Sequence, residues 1–428
     1  MIIQNYDALA ETPQRKKLLR IVEAGLAAIR TKDRVEETVQ YDTDHDVLCV
    51  EGRKYDLRSV HRVVVVGCGK AAYEAVTTLY EILATRITCG FVVDLKGDSI
   101  GSLTCTVGSH PYPTRVNVEA TRQIVSVLEG LTDKDLVLCV ISGGGSSLLC
   151  YPYKQSCELQ TQIVQALMRA GAEIQELNTV RKHMSLVKGG QLAAAAYPAT
   201  VINLVFSDVP GDDVAMVASG PTVRDATTVH DAEAVLRKYN VLELCGMGRC
   251  ELRETPKEDK YFVRVTTHLL VSGEHALRAM AEKARTFGFV PRISEHAYTG
   301  IARELGVRFA SSVQPGECLL ASGESTVVVT HPGKGGRNLE MALAALPVLR
   351  RGQAFAAIDS DGFDNTPFAG ALVDALTNDK ARRMGVSAEL ALLENGSYQF
   401  FEATGDYIDT GLTEANVADL VVSVREPE

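Results

Sequence analysis

The sequence predicts an α/β protein of two α/β domains, the larger one Rossmann-like on a mostly parallel sheet. Three observations carry that prediction. Short β-branched runs alternate with longer helical patterns along most of the chain. The run Val63-Val64-Val65-Val66 leads straight into the turn Gly67-Cys68-Gly69-Lys70 and then into a helical pattern. And 428 residues are too many for one compact core, so the chain divides.

The elements follow in order. Residues 12–31 have the spacing of an amphipathic helix. "HRVVVVGCGKAAYEAVTTLYEILA" is strand, turn and helix, and "CGFVVDL" is a second strand. "VNVEATRQIVSVLEG" reads as a helix, "DLVLCVIS" as a strand, and "GGGSSLL" as a glycine turn with a new helix start. "ATVINLVF" is a further strand, ending in the turn "SDVPGDD". The polar stretch "GMGRCELRETPKEDK" is broken by Gly and Pro and has no period. It sets a boundary between an N-terminal domain over 1–250 and a C-terminal α/β domain over 251–428. There the alternation restarts with "THLLVSGEHALRAMAEKARTFGF", "ECLLASGESTVVVT" and "QAFAAIDSDGF", and the last ~25 residues are expected to return to the N-terminal domain.

Composition excludes several classes. A net charge of −10 argues against a nucleic-acid surface, though local cations can still line a cleft. No apolar run reaches membrane-spanning length, and the N-terminus lacks a signal-peptide core. The ten cysteines form no C-x-x-C pair and no Cys/His grouping, which excludes structural zinc and fits a reducing cytoplasm.

Candidate site residues collect after the strands, where open parallel sheets bind ligands. Ser142-Gly143-Gly144-Gly145-Ser146-Ser147 suits an anion cradle of backbone N–H groups and hydroxyls, or a plain turn that needs positive φ. Arg181, Lys182 and Lys188 form the densest basic segment, beside Gly189-Gly190; His183 among them reads as structural. Asp208, Asp212 and Asp213 follow a strand and could hold magnesium, or cap a helix. Arg337 stands in a glycine-rich turn, placed to grip a phosphoryl or carboxylate group. Cations, glycine turns and acidic turns together suit phosphoryl transfer, and no Walker A pattern is present. The spacing Gly67, Gly69, Ala72 also fits a dinucleotide turn, with Asp94 somewhat late for the ribose acid. That alternative would make the protein an NAD(P)H-dependent oxidoreductase.

The ordered motifs resemble those of the glycerate 2-kinase (MOFRL) family over roughly residues 60 to 420. They are Gly67 to Ala72, His110-Pro111-Tyr112-Pro113, Ser142 to Ser146, Asn178 to His183 with Lys188 to Gly190, Ser207 to Asp213, Ala218 to Thr222, Gly323-Glu324, Gly335 to Glu340, and Thr410-Gly411 through Asn416, Val417 and Asp419. The resemblance implies phosphorylation of D-glycerate by ATP with Mg2+, to 2-phospho-D-glycerate, in a cleft between the domains. It implies a small-molecule substrate, no nucleic-acid or membrane partner, and allows a homodimer; the alternatives beside it are an NAD(P)H-dependent hydroxypyruvate reductase, a name such sequences also carry, and a non-catalytic homologue. It assigns Lys70 and Arg337 to the substrate and phosphoryl groups; Asp208 is a further catalytic candidate, and Ser142, Gly143, Gly144, Gly145, Ser146, Asn178, Arg181, Lys182, Lys188, Glu324, Asn338 and Asn416 are the candidates for binding substrate and phosphates. Asp208 and Asp212 are the metal candidates. Thr114, Ser322, Leu412 and the stretch Ser360 to Ala371 depart from the family pattern.

Overall fold

The computed structural model describes residues 1–209, 211–245, 250–413, 415 and 417–427. The chain forms two compact units. One comprises residues 31–207 and 213–270, the other residues 1–30, 208–212 and 271–428.

The first unit carries a small antiparallel sheet, β1 (Val39–Asp42), β2 (Val47–Val50) and β3 (Arg53–Asp56). Its main sheet contains β4 (Arg62–Cys68), β5 (Ile87–Asp94), β6 (Leu103–Val107), β7 (Asp135–Ser142), β8 (Thr200–Phe206) and β9 (Val265–Val271). The order is β6-β5-β4-β7-β8-β9. β4 pairs in parallel with both β5 and β7, and β5–β6 and β7–β8 are parallel too. Every residue of β7 is buried, which is why it reads as an unbroken apolar run rather than an alternating one. The order changes direction between β4 and β7, so a crevice is expected beyond their carboxyl ends.

The second unit holds a mixed sheet of β10 (Val290–Ile293), β11 (Tyr298–Ile301), β12 (Glu317–Thr326), β13 (Gln353–Ile358), β14 (Gly370–Val373), β15 (Tyr407–Ile408) and β16 (Asp419–Arg425). The order is β10-β12-β16-β13-β14-β15, with β11 on β12. The last strand, β16, runs antiparallel between β12 and β13. The final residues therefore complete the second unit's own sheet and do not return to the first, as the sequence reading had expected.

The division also falls elsewhere than at residue 250. β9 closes an edge of the parallel sheet, while the helix that follows it, Gly273–Thr286, belongs to the other unit. The apparent strand–turn–helix restart is thus cut at its turn. The N-terminal helix Pro13–Ala28, capped by Thr12 Oγ1 on the Arg15 N–H (3.1 Å), joins the second unit as well. It crosses the Gly273–Thr286 helix at Gly25, where a Cβ would stand 2.6 Å from Met280 Cγ. Arg15, fully buried, donates to Asp374 (2.6 and 2.8 Å) and Asp406 (2.7 and 3.1 Å), and Lys380 shares Asp406 (2.6 Å).

Candidate active site

The carboxyl ends of β4 and β7 are tied together by their glycine turns. Lys70 N–H donates to the Gly143 carbonyl (2.9 Å), and Ala71 N–H to Ser142 Oγ (3.0 Å), which faces the Cys68 carbonyl at 3.5 Å. Gly69, at φ 117°, lies so close to Ser142 that a Cβ would stand 2.2 Å from its Oγ. The buried Asp94 occupies the N-terminus of the helix Ala72–Leu83, accepting the Tyr73 N–H at 2.8 Å. Burial pushes its carboxyl up, opposed by that bond and others from backbone N–H groups. Two of the orphan N–H groups at this helix start, those of Ala71 and Tyr73, thus find partners inside the protein. Gly69 serves close packing on Ser142, and Asp94 serves as a cap of this helix.

Beside these turns is a cavity of about 200 Å³ whose lining includes Pro111, Tyr112, Ser146, Gln160, Arg181 and Lys188 and, among the described residues, no Asp or Glu. Lys188 is 3% exposed and donates to the Ser146 carbonyl. Burial, reinforced by the neighbouring Arg181 charge, lowers its ammonium to about 8. Burial lowers Arg181 as well, and its guanidinium has no ion pair among the described residues. Two desolvated cations without an acid are costly unless an anion completes them. Lys70 lies nearby, its Cγ 3.0 Å from where a Gly144 Cβ would be, next to His110. Burial, and then the Lys70 charge, lowers the His110 imidazole.

Other residues named from the sequence have structural duties. Ser142 and Gly143 are buried in the stitching of the two turns, and a Cβ on Gly145 would stand 2.7 Å from Ala218 Cβ. Lys182 pairs with buried Asp225 (3.3 Å), so its charge is neutralised within the fold. His183 is structural as expected, its Nδ1 2.8 Å from the Thr179 carbonyl. Asn178 bonds Ser219 (2.9 Å). Thr114 caps the helix Arg115–Val127 with Asn117, which accounts for one departure from the family pattern.

In the second unit Arg337 is no free cation. It reaches Asp419 (2.7 Å), Asp359 (3.4 Å) and Glu324 (2.5 Å), groups at the ends of β16, β13 and β12. Burial pushes Asp419 up to about 7 and Asp359 well above the usual carboxylate range, Asp419 adding to the latter. Asn338 is buried and contacts Asp364, which also accepts the Asn338 (3.0 Å) and Leu339 (2.9 Å) N–H groups as the cap of the helix Arg337–Ala345. Asp208 and Asp212 are half-buried in this unit. Among the described residues no group of three or more His, Cys, Asp or Glu is placed to hold a metal ion. Asn416 lies outside the described residues.

Sequence reasoning missed Asp94 as a cap, Asp225 as the partner of Lys182, and the Ser219 hydroxyl. Ser219 and His110 stood in quoted motifs, so their positions were visible and only their contacts were not. Asp225 offers no local signal at all.

A unit built on a parallel sheet, with the two desolvated cations Arg181 and Lys188 in a cavity beyond β7, and a second unit built on a mixed sheet define a two-unit α/β protein. The profile of a domain of unknown function (DUF4147) matches residues 17–246, and that of the MOFRL family matches residues 317–419. The chain belongs to the glycerate 2-kinase family. It is 35% identical to the D-glycerate 2-kinase of Thermotoga maritima, over 86% of this chain and 91% of that one. It is 38% identical, over 84% of this chain and 86% of the other, to an Agrobacterium vitis protein whose name proposes a hydroxypyruvate reductase. The crystal structure of the Thermotoga maritima glycerate kinase superposes with a TM-score of 0.84 at 32% identity, covering 96% of this chain and 99% of that one. No helix among the described residues is long and apolar enough to cross a membrane.

Proposed function

We propose that this chain transfers the γ-phosphoryl group of ATP to the 2-hydroxyl of D-glycerate, releasing 2-phospho-D-glycerate and ADP. The observation that carries the reading is the pair Arg181 and Lys188 in a cavity that no acid lines among the described residues. Its volume of about 200 Å³ suits the carboxylate end of a three-carbon acid. The new bond joins the glycerate oxygen to the γ-phosphorus, and the bond from that phosphorus to the bridging oxygen breaks. The hydroxyl proton goes to Asp208, although a loose phosphoryl transition state asks little of a base. Gly144, Ser146 and Lys70 border the reacting groups. Asp212 would hold magnesium, which takes one or two carboxylates together with water and phosphate oxygens. Magnesium when bound neutralises phosphate charge. Arg337 keeps Asp419 and exchanges its more exposed partner Glu324 for a phosphoryl oxygen. The ten cysteines are all free, which supports a cytoplasmic setting.

The direct test is purified protein with D-glycerate, ATP and magnesium, followed by ADP release and by immediate conversion of the product by enolase. ADP release without an enolase substrate would move the phosphate to another oxygen. Oxidation of NADH or NADPH with hydroxypyruvate, and no ADP release, would reject the kinase reading. Lys70→Ala lowers kcat about a hundredfold or more, as loss of a cation on the transferring group does. Wild-type turnover in that variant would remove Lys70 from the reaction.

Lys188 adds a pH signature. With the empty-site ammonium at about 8, an anion bound beside it raises the pKa and draws in a proton. Calorimetric titration of D-glycerate at pH 8, in buffers of different ionisation enthalpy, should show uptake of about half a proton, and none at pH 6. Equal heats in all buffers at pH 8 would place the anion elsewhere.

A further inference from the structure

The hydroxyl of Ser146 faces the Arg181–Lys188 cavity, and the hydrogen bonds behind it decide what it can offer a ligand. Ser219 Oγ lies 2.9 Å from Asn178 Oδ1 and 3.2 Å from Ser146 Oγ. Asn178 Nδ2 points at Met216 Sδ (3.5 Å), so Oδ1 is the atom turned to Ser219, and a carbonyl oxygen only accepts. Ser219 has one proton and gives it to Asn178. The proton between the two serines must therefore come from Ser146. With that proton turned inward, the Ser146 oxygen presents only lone pairs to the cavity.

The backbone behind this arrangement is unusual. Ala218, Ser219 and Gly220 have φ of 50°, 62° and 59°, and Ala218 and Ser219 are buried. Two successive non-glycine residues in the left-handed region cost energy and are kept only where packing over-determines them. Here the contact of Gly145 with Ala218 holds the segment against the β7 turn and brings the Ser219 hydroxyl under Ser146.

We propose that Ser146 is a specificity-determining residue that accepts a hydrogen bond from a hydroxyl of the bound acid. Ser219 and Asn178 are the positioning pair that make it an acceptor. A carboxylate or phosphate oxygen cannot satisfy this atom, because both are acceptors. A ligand that places an anionic end on Arg181 and Lys188 and a donor on Ser146 is a hydroxy acid. The inference rests on the proposed carboxylate role of the cavity and adds the hydroxyl to it.

The test compares dissociation constants of the full-length protein for D-glycerate, D-lactate, 3-hydroxypropanoate and propanoate. The middle two each lack one hydroxyl of D-glycerate. The wild type should bind D-glycerate about tenfold tighter than one of them, since the acceptor is then left unpaired. Ser146→Ala should bring that ratio to about one through weaker D-glycerate binding, with propanoate unchanged. Ser219→Gly, which suits the positive φ and frees the Ser146 proton, should narrow the same ratio even if melting temperature shifts. Bound propanoate with an unchanged ratio in both variants would overturn the role of Ser146 alone. A wild type that does not bind propanoate would overturn the carboxylate reading and this inference with it.

Discussion

Lys188→Met lowers kcat/KM for D-glycerate at least about a hundredfold while leaving the protein as stable as before or more so. The two effects have one cause. Lys188 is 3% exposed and has no acidic neighbour in the cavity, so the unliganded protein bears the cost of a buried charge. Its ammonium is lowered from 10.5 to about 8 in the fold. Below about pH 8 the native protein carries the whole penalty, of order 3 kcal/mol, and as pH rises toward 10.5 the unfolded chain binds more protons and the penalty fades. Methionine fills similar space without the charge, at the loss of one bond to the Ser146 carbonyl. A gain of up to about 2 kcal/mol at pH 7 is the expected balance. Urea unfolding and steady-state kinetics on one preparation read both. A variant that is inactive because it is several kcal/mol less stable would make Lys188 structural. A variant with intact kinetics would remove the cavity from the site.

Arg15→Met destabilises the second unit by about 3–5 kcal/mol. Arg15 is fully buried between Asp374 and Asp406, and four of its hydrogen bonds go to those carboxylates. Lys380 alone remains to balance the two acids, and it bonds only Asp406 among them. Asp374 would be left in low dielectric with the N–H groups of Leu376 and Thr377 as partners. Removing one member of a buried charge network costs far more than the network contributes net, because the orphaned charges cannot be rehydrated. The check is urea denaturation followed by hydrogen exchange in the helix Pro13–Ala28 and in β14. A loss below about 1 kcal/mol would mean that water reaches the acids and that the N-terminal helix is held by its apolar face alone.

The alternation of β-branched runs with helical periods was enough to place four strands of the parallel sheet but neither β6 nor the unit that β9 joins, because a buried strand of such a sheet is apolar along its length and an edge strand need not be. β4, β5, β7 and β8 lie where those runs stand. The motif order was likewise enough to identify the family. The glycine turns after β4 and β7 were legible as special, since only glycine tolerates φ near 117° at Gly69 or 77° at Gly144. What each glycine approaches was not legible: Gly69 meets Ser142, a residue more than seventy positions away in the sequence.

Only the tertiary structure decided which charges are free. Arg181, Lys182 and Lys188 look alike in one basic segment, yet Asp225 neutralises Lys182, and no acid among the described residues lines the cavity that holds the other two. Arg337 looked like an unpaired phosphate grip until β16 brought Asp419 beside it. The unit boundary has the same origin. Local pattern names a strand and a helix, but which sheet a strand joins and which buried acid meets an arginine depend on contacts between distant segments. A single sequence records the partners without recording the pairing.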